Sequence, residues 1–222
     1  MIKQTLTLTL TLGLSAFAPA ALAQATLGSN LIVNGNAESG VSGWTGFDGY
    51  ELFQSVDYGS NWVLPSQPGP ADRGAKMFAG VGAQAAGFQT LALGDLAGQP
   101  LHYELSGWLG GWQAQGDNAL LYVSFLDGTD NEIGHALIGP VTPADRNNQT
   151  GLFFQSASGE LPTGTASLMF SLSMERQGGG DNDGYADNLS FVVSSVPEGS
   201  TLAYALAGLA LLAGLGARRQ RR

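Results

Sequence analysis

The sequence predicts an all-β protein, a two-sheet β-sandwich carried between two apolar terminal segments. Three observations lead there. Short apolar runs alternate with polar residues at a period of two. Turn-forming residues recur between those runs, with 33 glycines in 222 residues. No amphipathic helix of useful length can be traced between residues 24 and 193.

The clearest strand is 167–175, where Leu168, Phe170, Leu172 and Met174 fall on one side and Ser167, Met169, Ser171, Ser173 and Glu175 on the other. In 121–125, Leu121, Val123 and Phe125 oppose Tyr122 and Ser124. In 102–109, Tyr103, Leu105, Gly107 and Leu109 alternate with His102, Glu104, Ser106 and Trp108. Further strands are expected at 31–34, 76–80, 87–93, 135–138, 151–155 and 186–193. About nine strands in this length fit a two-sheet jelly roll. The stretch 41–74, with Trp44, Trp62, Pro65, Pro68 and Pro70, reads as loops at one end of the sandwich.

The termini read as addresses. Lys3, the apolar run 6–18 and the small-x-small site Ala21-Leu22-Ala23 predict a signal peptide over 1–23, with Ala23-Gln24-Ala25 as a second cleavage option. The domain then spans 24–193. A linker follows at 194–200, an uncharged apolar helix at 201–217 and a basic tail at 218–222 holding four arginines. At about 1.5 Å per residue the apolar segment reaches roughly 25 Å, near the lower limit for crossing a bilayer. The arginines would keep that end cytoplasmic.

Composition excludes several functions. Residues 24–196 hold 17 acidic side chains against 4 basic ones, a net charge of −13. Such a domain repels nucleic acid and anionic lipid and suits divalent cations and neutral polymers. With no cysteine, thiol catalysis and cysteine-ligated zinc are ruled out. His102 and His135 have no companion at metal-ligand spacing. No Gly-x-Ser-x-Gly elbow and no phosphate-cradling loop is present.

Asp187 is the most informative single residue. It shares its parity with Leu189, Phe191 and Val193, so an ionised carboxylate is expected on the core side of the last strand. It then needs a cation, an arginine or several N–H donors; a solvated strand end after Gly184 is the other reading. Calcium would accept Asp187 as a hard oxygen ligand. Asp181-Asn182-Asp183-Gly184 reads as a solvated turn, and 127–132 as a hairpin. Trp108 and Trp112, with Gln115, Asp117 and Tyr122, are the candidates for an aromatic glycan-binding face, against packing on the second sheet or its rim. Tyr58 and Trp62 could join them from a loop. Glu38, Glu51, Glu104 and Asp117 are carboxylates that a hydrolase could pair, but no spacing selects two of them; Glu104 and Asp117 are the two whose substitution tests that reading.

Two resemblances follow from quoted residues. Val196, Pro197, Glu198, Gly199, Ser200 and Thr201, the apolar helix and the terminal arginines together resemble the PEP-CTERM sorting signal of exported proteins in Gram-negative bacteria. That resemblance implies removal of the helix by an exosortase-type membrane protease. Gly199 departs from the pattern, standing where a second proline is usual. The opening Asn30-Leu-Ile-Val-Asn-Gly-Asn-Ala-Glu-Ser-Gly40 and the closing Tyr185-Ala-Asp-Asn-Leu resemble bacterial jelly-roll modules similar to carbohydrate-binding modules. This one implies that opening and closing strands lie side by side and share a structural calcium, with Asn36, Glu38 and Asp187 as its ligands.

Together these point to an exported surface or exopolysaccharide-matrix protein, calcium-stabilised and glycan-binding. A small secreted polysaccharide hydrolase or lyase, and a permanently membrane-anchored binding protein, are the alternatives.

Overall fold

The computed structural model describes residues 25–196 except Ser60. The signal segment 1–23, Pro197 to Thr201 of the sorting motif, the apolar segment 201–217 and the tail 218–222 lie outside the described residues. Among the described residues no helix is long and apolar enough to cross a membrane.

Among the described residues ten strands form two five-stranded sheets. They are β1 (Thr45–Gly46), β2 (Gln54–Asp57), β3 (Lys76–Ala79), β4 (Gln84–Ala92), β5 (Leu101–Gly111), β6 (Asn118–Leu126), β7 (Glu132–Ile138), β8 (Gly151–Glu160), β9 (Ser167–Glu175) and β10 (Tyr185–Ser195). The first sheet is ordered β1-β4-β9-β6-β7 and the second β2-β3-β10-β5-β8. All the strand pairings are antiparallel. Without β1 and β2 the remaining eight strands are in jelly-roll order. Each connection crosses between the sheets except the β6–β7 hairpin.

Alternation explains the core. Leu105 and Leu109 of β5, Leu121, Val123 and Phe125 of β6, Leu168, Phe170 and Leu172 of β9 and Phe191 and Val193 of β10 all point between the sheets and are buried. Phe191 anchors the centre, stacked on Tyr103 at 5.5 Å and edge-on to Phe170 at 5.4 Å.

Two expectations are corrected. Residues 31–34 are not a strand. Asn30 bridges Val192, then takes over the ladder with its own amide, which donates to Leu189 O and accepts from Phe191 N and Ile32 N. Asn34 and Ala37 then adopt positive φ and turn the chain away. The stretch 41–74 is also not only loops at one end. It supplies the edge strands β1 and β2, and beyond β2 it folds across the outer face of the second sheet. There Val63, Met77, Ala79, Leu152 and Tyr185 form a second buried cluster, flanked by Tyr58, Trp62, Trp108 and Trp112. In β3, Met77 and Ala79 join this cluster while Phe78 joins the core, so the strand is apolar on both faces and has no alternation to read.

Candidate functional site

The opening and closing segments do lie side by side. Gly28 N donates to Val193 O, Leu31 N to Phe191 O and Leu189 N to Gly35 O. Gly35 sits so close to the Leu189 carbonyl that a Cβ has no room there.

Asp187 is fully buried but faces away from the sandwich core. Its partner in β5 is Trp108, an outward residue, while Ala186 pairs with core-facing Leu109. Between Asp187 and Ser190 the register shifts by one residue at a bulge containing Asn188, whose φ is 46°. The bulge reverses parity, so Leu189 and Phe191 point inward although Asp187 points outward. Sequence alternation alone therefore assigns Asp187 to the wrong face.

Under the 58–74 loop, Asp187 Oδ2 accepts from Tyr58 Oη at 2.6 Å and Oδ1 from Asn188 N at 2.7 Å. Burial raises the Asp187 carboxyl to about 7; the two hydrogen bonds oppose that rise, and nearby Glu38 and Asp72 add to it. Glu38 is exposed and its Oε1 accepts from Ala75 N and Lys76 N, both at 2.8 Å. Asn36 is exposed on the same opening segment. Donors from Tyr58, Asn188, Ala75 and Lys76 thus reach Asp187 Oδ1, Asp187 Oδ2 and Glu38 Oε1, and among the described residues Glu38 Oε2 accepts none. Among the described residues no three His, Asp or Glu side chains are placed to hold one metal ion.

The aromatic candidates separate. Trp108 lies on the outer face of the second sheet, edge-on to Phe154 at 5.7 Å, and packs with Trp112 against the second cluster. Trp62 packs edge-on to Tyr185, and Tyr58 is tied to Asp187. Tyr122 lies on the outer face of the opposite sheet. Trp108 and Tyr122 therefore cannot line one surface. Gln115 is half-buried, with its Oε1 enclosed and unpaired.

Asp117 is fully buried and touches no solvent. Its Oδ1 accepts from Gln177 N at 2.7 Å and Gly178 N at 2.8 Å, and Oδ2 from Asp183 N at 2.9 Å. Asn182 and Asp183 are buried with it, so the expected solvated turn is an internal one. Asp183 accepts from Tyr185 Oη at 2.5 Å, and burial raises its carboxyl. Buried Arg146 donates to the carbonyls of Val141, Trp112, Gln113 and Gln115. This network ties three loops to one end of the sandwich. Glu104 is exposed on the outer face of β5, so it and buried Asp117 do not flank one cleft.

The first sheet carries the better surface. Along β9 the outward residues are Ser167, Met169, Ser171, Ser173 and Glu175. Phe88, Ser171 and Tyr122 pair in one row across β4, β9 and β6, and Ala86, Ser173 and Leu120 in the next. With strands about 4.8 Å apart, Phe88 and Tyr122 stand roughly 9–10 Å apart over a floor of serine. The row ends at Gln84, Glu175 and Asn118. Phe47 packs on Phe88 at 4.7 Å, and Tyr50 stands 50% exposed beside them. A cavity of about 490 Å³ opens between Phe47, Tyr50, Gln84, Asn118, Ser173 and Gln177.

Tyr122 is held in place. Its hydroxyl donates to Glu132 Oε1 at 2.7 Å, Ser124 donates to Glu132 Oε2 at 2.7 Å, and the His135 ring stacks on it at 5.0 Å. These bonds lower the Glu132 carboxyl, while burial and Glu132 raise the Tyr122 phenol to about 12. The row Phe88–Ser171–Tyr122 thus lies beside a trough with Phe47 and Tyr50 on its wall, Ala86, Leu120 and Ser173 in its lining and the amides of Gln84, Asn118 and Gln177 around it. Of this set the sequence singles out only Tyr122. The alternation of β4 and β9 could have supplied Phe88 and Ser171; Phe47 and Tyr50 sit in a loop without periodicity.

No protein-family model and no curated protein matches the chain. Among solved structures it is similar to the enzymatically active domain of tailspike protein 4 of bacteriophage CBA120, at 16% identity and a TM-score of 0.50 over 74% of this chain. The match spans only 21% of the tailspike chain and speaks to the fold alone. The CBM22-1 xylan-binding domain of Paenibacillus barcinonensis Xyn10C is similar at 15% identity and TM-score 0.45, over 78% of this chain and 99% of that one. The K3 cleaved adhesin domain of Porphyromonas gingivalis Lys-gingipain is similar at 14% identity and TM-score 0.40, over 74% and 99%.

Proposed function

We propose that this chain is an exported, non-catalytic glycan-binding protein of the cell surface or exopolysaccharide matrix. The observation that carries the reading is the row Phe88–Ser171–Tyr122, with Ser173 and Ala86 beside it. Flat rings on either side of a serine floor suit a polymer whose units have apolar faces and hydroxyl edges. Gln84, Asn118 and Gln177 supply amides for those hydroxyls. The net charge of −13 over residues 24–196 favours a neutral polysaccharide over an acidic one. Tyr122 is fixed before binding by Glu132 and His135, which reduces the ordering cost of association. Separation of Glu104 from Asp117 supports binding without hydrolysis.

Export belongs to the same proposal. The signal peptide, the sequence from Val196 to Thr201 and the arginine-ended apolar segment support delivery to the membrane and release by an exosortase-type protease. Mass spectrometry of the native C-terminus tests this part. Retention of residues 202–222 would leave the protein permanently anchored.

The binding part is tested by affinity electrophoresis on a panel of neutral polysaccharides. Wild-type protein is expected to be retarded by at least one of them. Tyr122→Ala and Tyr50→Ala are each expected to weaken retardation about tenfold, at the upper end of the roughly 0.5–1.5 kcal/mol that an aromatic contact contributes. Retardation that survives both substitutions would remove the trough from consideration.

A further inference from the structure

We propose that a second copy of this chain pairs with the first through the free edge of β8, antiparallel and centred on Ser156. Among the described residues the strand β8 is the outer edge of the second sheet and pairs only with β5. Leu161 N donates to Leu101 O, so odd-numbered backbone groups face β5. Even-numbered groups face outward, as Leu152 N shows by donating to Pro68 O at 3.0 Å. Phe154 O is taken by the Gln155 side chain. Among the described residues nothing reaches the outward N–H and C=O of Ser156 and Ser158, or the N–H of Phe154.

This edge lacks the devices that block strand addition. Its ladder with β5 runs without a bulge from Gly111–Gly151 to His102–Glu160. It contains no proline and no lysine, and residues 147–159 carry no charge at all. On the opposite side of the sandwich the edge strands β1 and β2 are only two and four residues long. The other long edge, β7, presents Glu132 and His135. Phe154, on the outer face of β8, is 54% exposed.

Self-pairing follows from the geometry of the free window. It is bounded by the Pro68 carbonyl at Leu152 and by the carboxylate of Glu160. A two-fold axis at Ser156 centres the contact there. Ser156 then meets Ser156 of the second copy, and Phe154 meets Ser158 in both directions, so the outward backbone groups form hydrogen-bonded pairs. Charge selects the same place. Two domains of net charge −13 repel over most of their surfaces but present neutral chain at β8. In this register the two Glu160 side chains stay eight residues apart along the strands, roughly 27 Å, beyond the Debye length.

The chain has no cysteine, so single cysteines report the register directly. Three full-length variants, Phe154→Cys, Ser156→Cys and Ser158→Cys, are oxidised in the membranes of the producing cell and separated without reductant. Ser156→Cys is expected to give a disulfide homodimer, because paired Cα atoms lie about 5.5 Å apart across such a ladder. The other two are expected to give at least tenfold less, their sulfurs being held roughly 13 Å apart by four residues of strand. The positions are exposed, so folding is not at issue. Absence of homodimer from Ser156→Cys overturns the proposal. So does equal cross-linking at all three positions, which signals random collision. Cross-linking of the Ser156→Cys variant to a different polypeptide alone overturns it as well.

Discussion

The Tyr58 hydroxyl donates a 2.6 Å hydrogen bond to Asp187 Oδ2 across 129 residues of chain. It fastens the loop over the second sheet to the one buried carboxylate of β10. Among the described residues Asp187 has no arginine or lysine in salt-bridge contact, and Arg73 lies over the Tyr58 ring at 5.2 Å. The cost of that arrangement falls on the charged form of Asp187.

The first prediction concerns pH. Burial lifts the Asp187 carboxyl to about 7, above the unfolded value near 4. A raised aspartate binds its proton more tightly in the folded state. Its stabilising share is complete below the unfolded value and is lost as pH rises through about 7. Asp183, also raised by burial, acts with the same sign. The melting temperature is therefore expected to fall between pH 4.5 and pH 7.5, and Asp187→Asn to flatten most of that fall. Thermal unfolding at a series of pH values measures this; an unchanged slope in Asp187→Asn would assign the effect elsewhere. Asp127, lowered to about 2 by its hairpin hydrogen bonds, acts only below this window.

The second prediction concerns metal. Donors from Tyr58, Asn188, Ala75 and Lys76 already face Asp187 and Glu38. Chelation is expected to leave the melting temperature unchanged, and added calcium to leave it unchanged too. A chelator-sensitive melting temperature that disappears in Asp187→Ala would instead mean that calcium displaces the Tyr58 hydroxyl.

Legibility from the sequence follows the periodicity of each element. The strand at 167–175 is found with the same bounds because one of its faces is core and the other is solvent. The bulge at Asn188 leaves no mark in the apolar pattern, so alternation misplaces the face of Asp187 although not its burial. Trp108 and Tyr122 each alternate correctly within their own strands. That they belong to different sheets is a matter of strand order, which local alternation does not encode. Asp117 reads in the sequence as a surface carboxylate beside two tryptophans. Its burial depends on the backbone N–H groups of residues 177, 178 and 183, some 60 residues away.

The third prediction follows from that last contact. Asp117→Ala leaves three backbone N–H groups without their acceptor and removes a carboxylate that acts on buried Arg146. The expected cost is about 3–5 kcal/mol, by the logic of breaking a buried charged network from one side. Chemical denaturation measures it. Glu104→Gln, on an exposed position of β5, is expected to stay within about 0.5 kcal/mol of wild type. Equal stability of the two variants would contradict the structural role given to Asp117.

The last prediction separates the trough from the fold. Ser171 sits between Phe88 and Tyr122 with its side chain pointing out of the sandwich. Ser171→Trp fills the floor between the two walls without entering the core, so the melting temperature is expected to move little. Retardation on a polysaccharide that binds wild-type protein is expected to disappear. The same substitution at Ser156, on the other sheet, is expected to leave polysaccharide binding intact, because β8 and the trough lie on opposite outer faces. If Ser171→Trp binds as well as wild type while Tyr122→Ala does not, the polymer touches Tyr122 from the β7 side. The contact surface then runs through His135 and Leu137 in place of the serine floor.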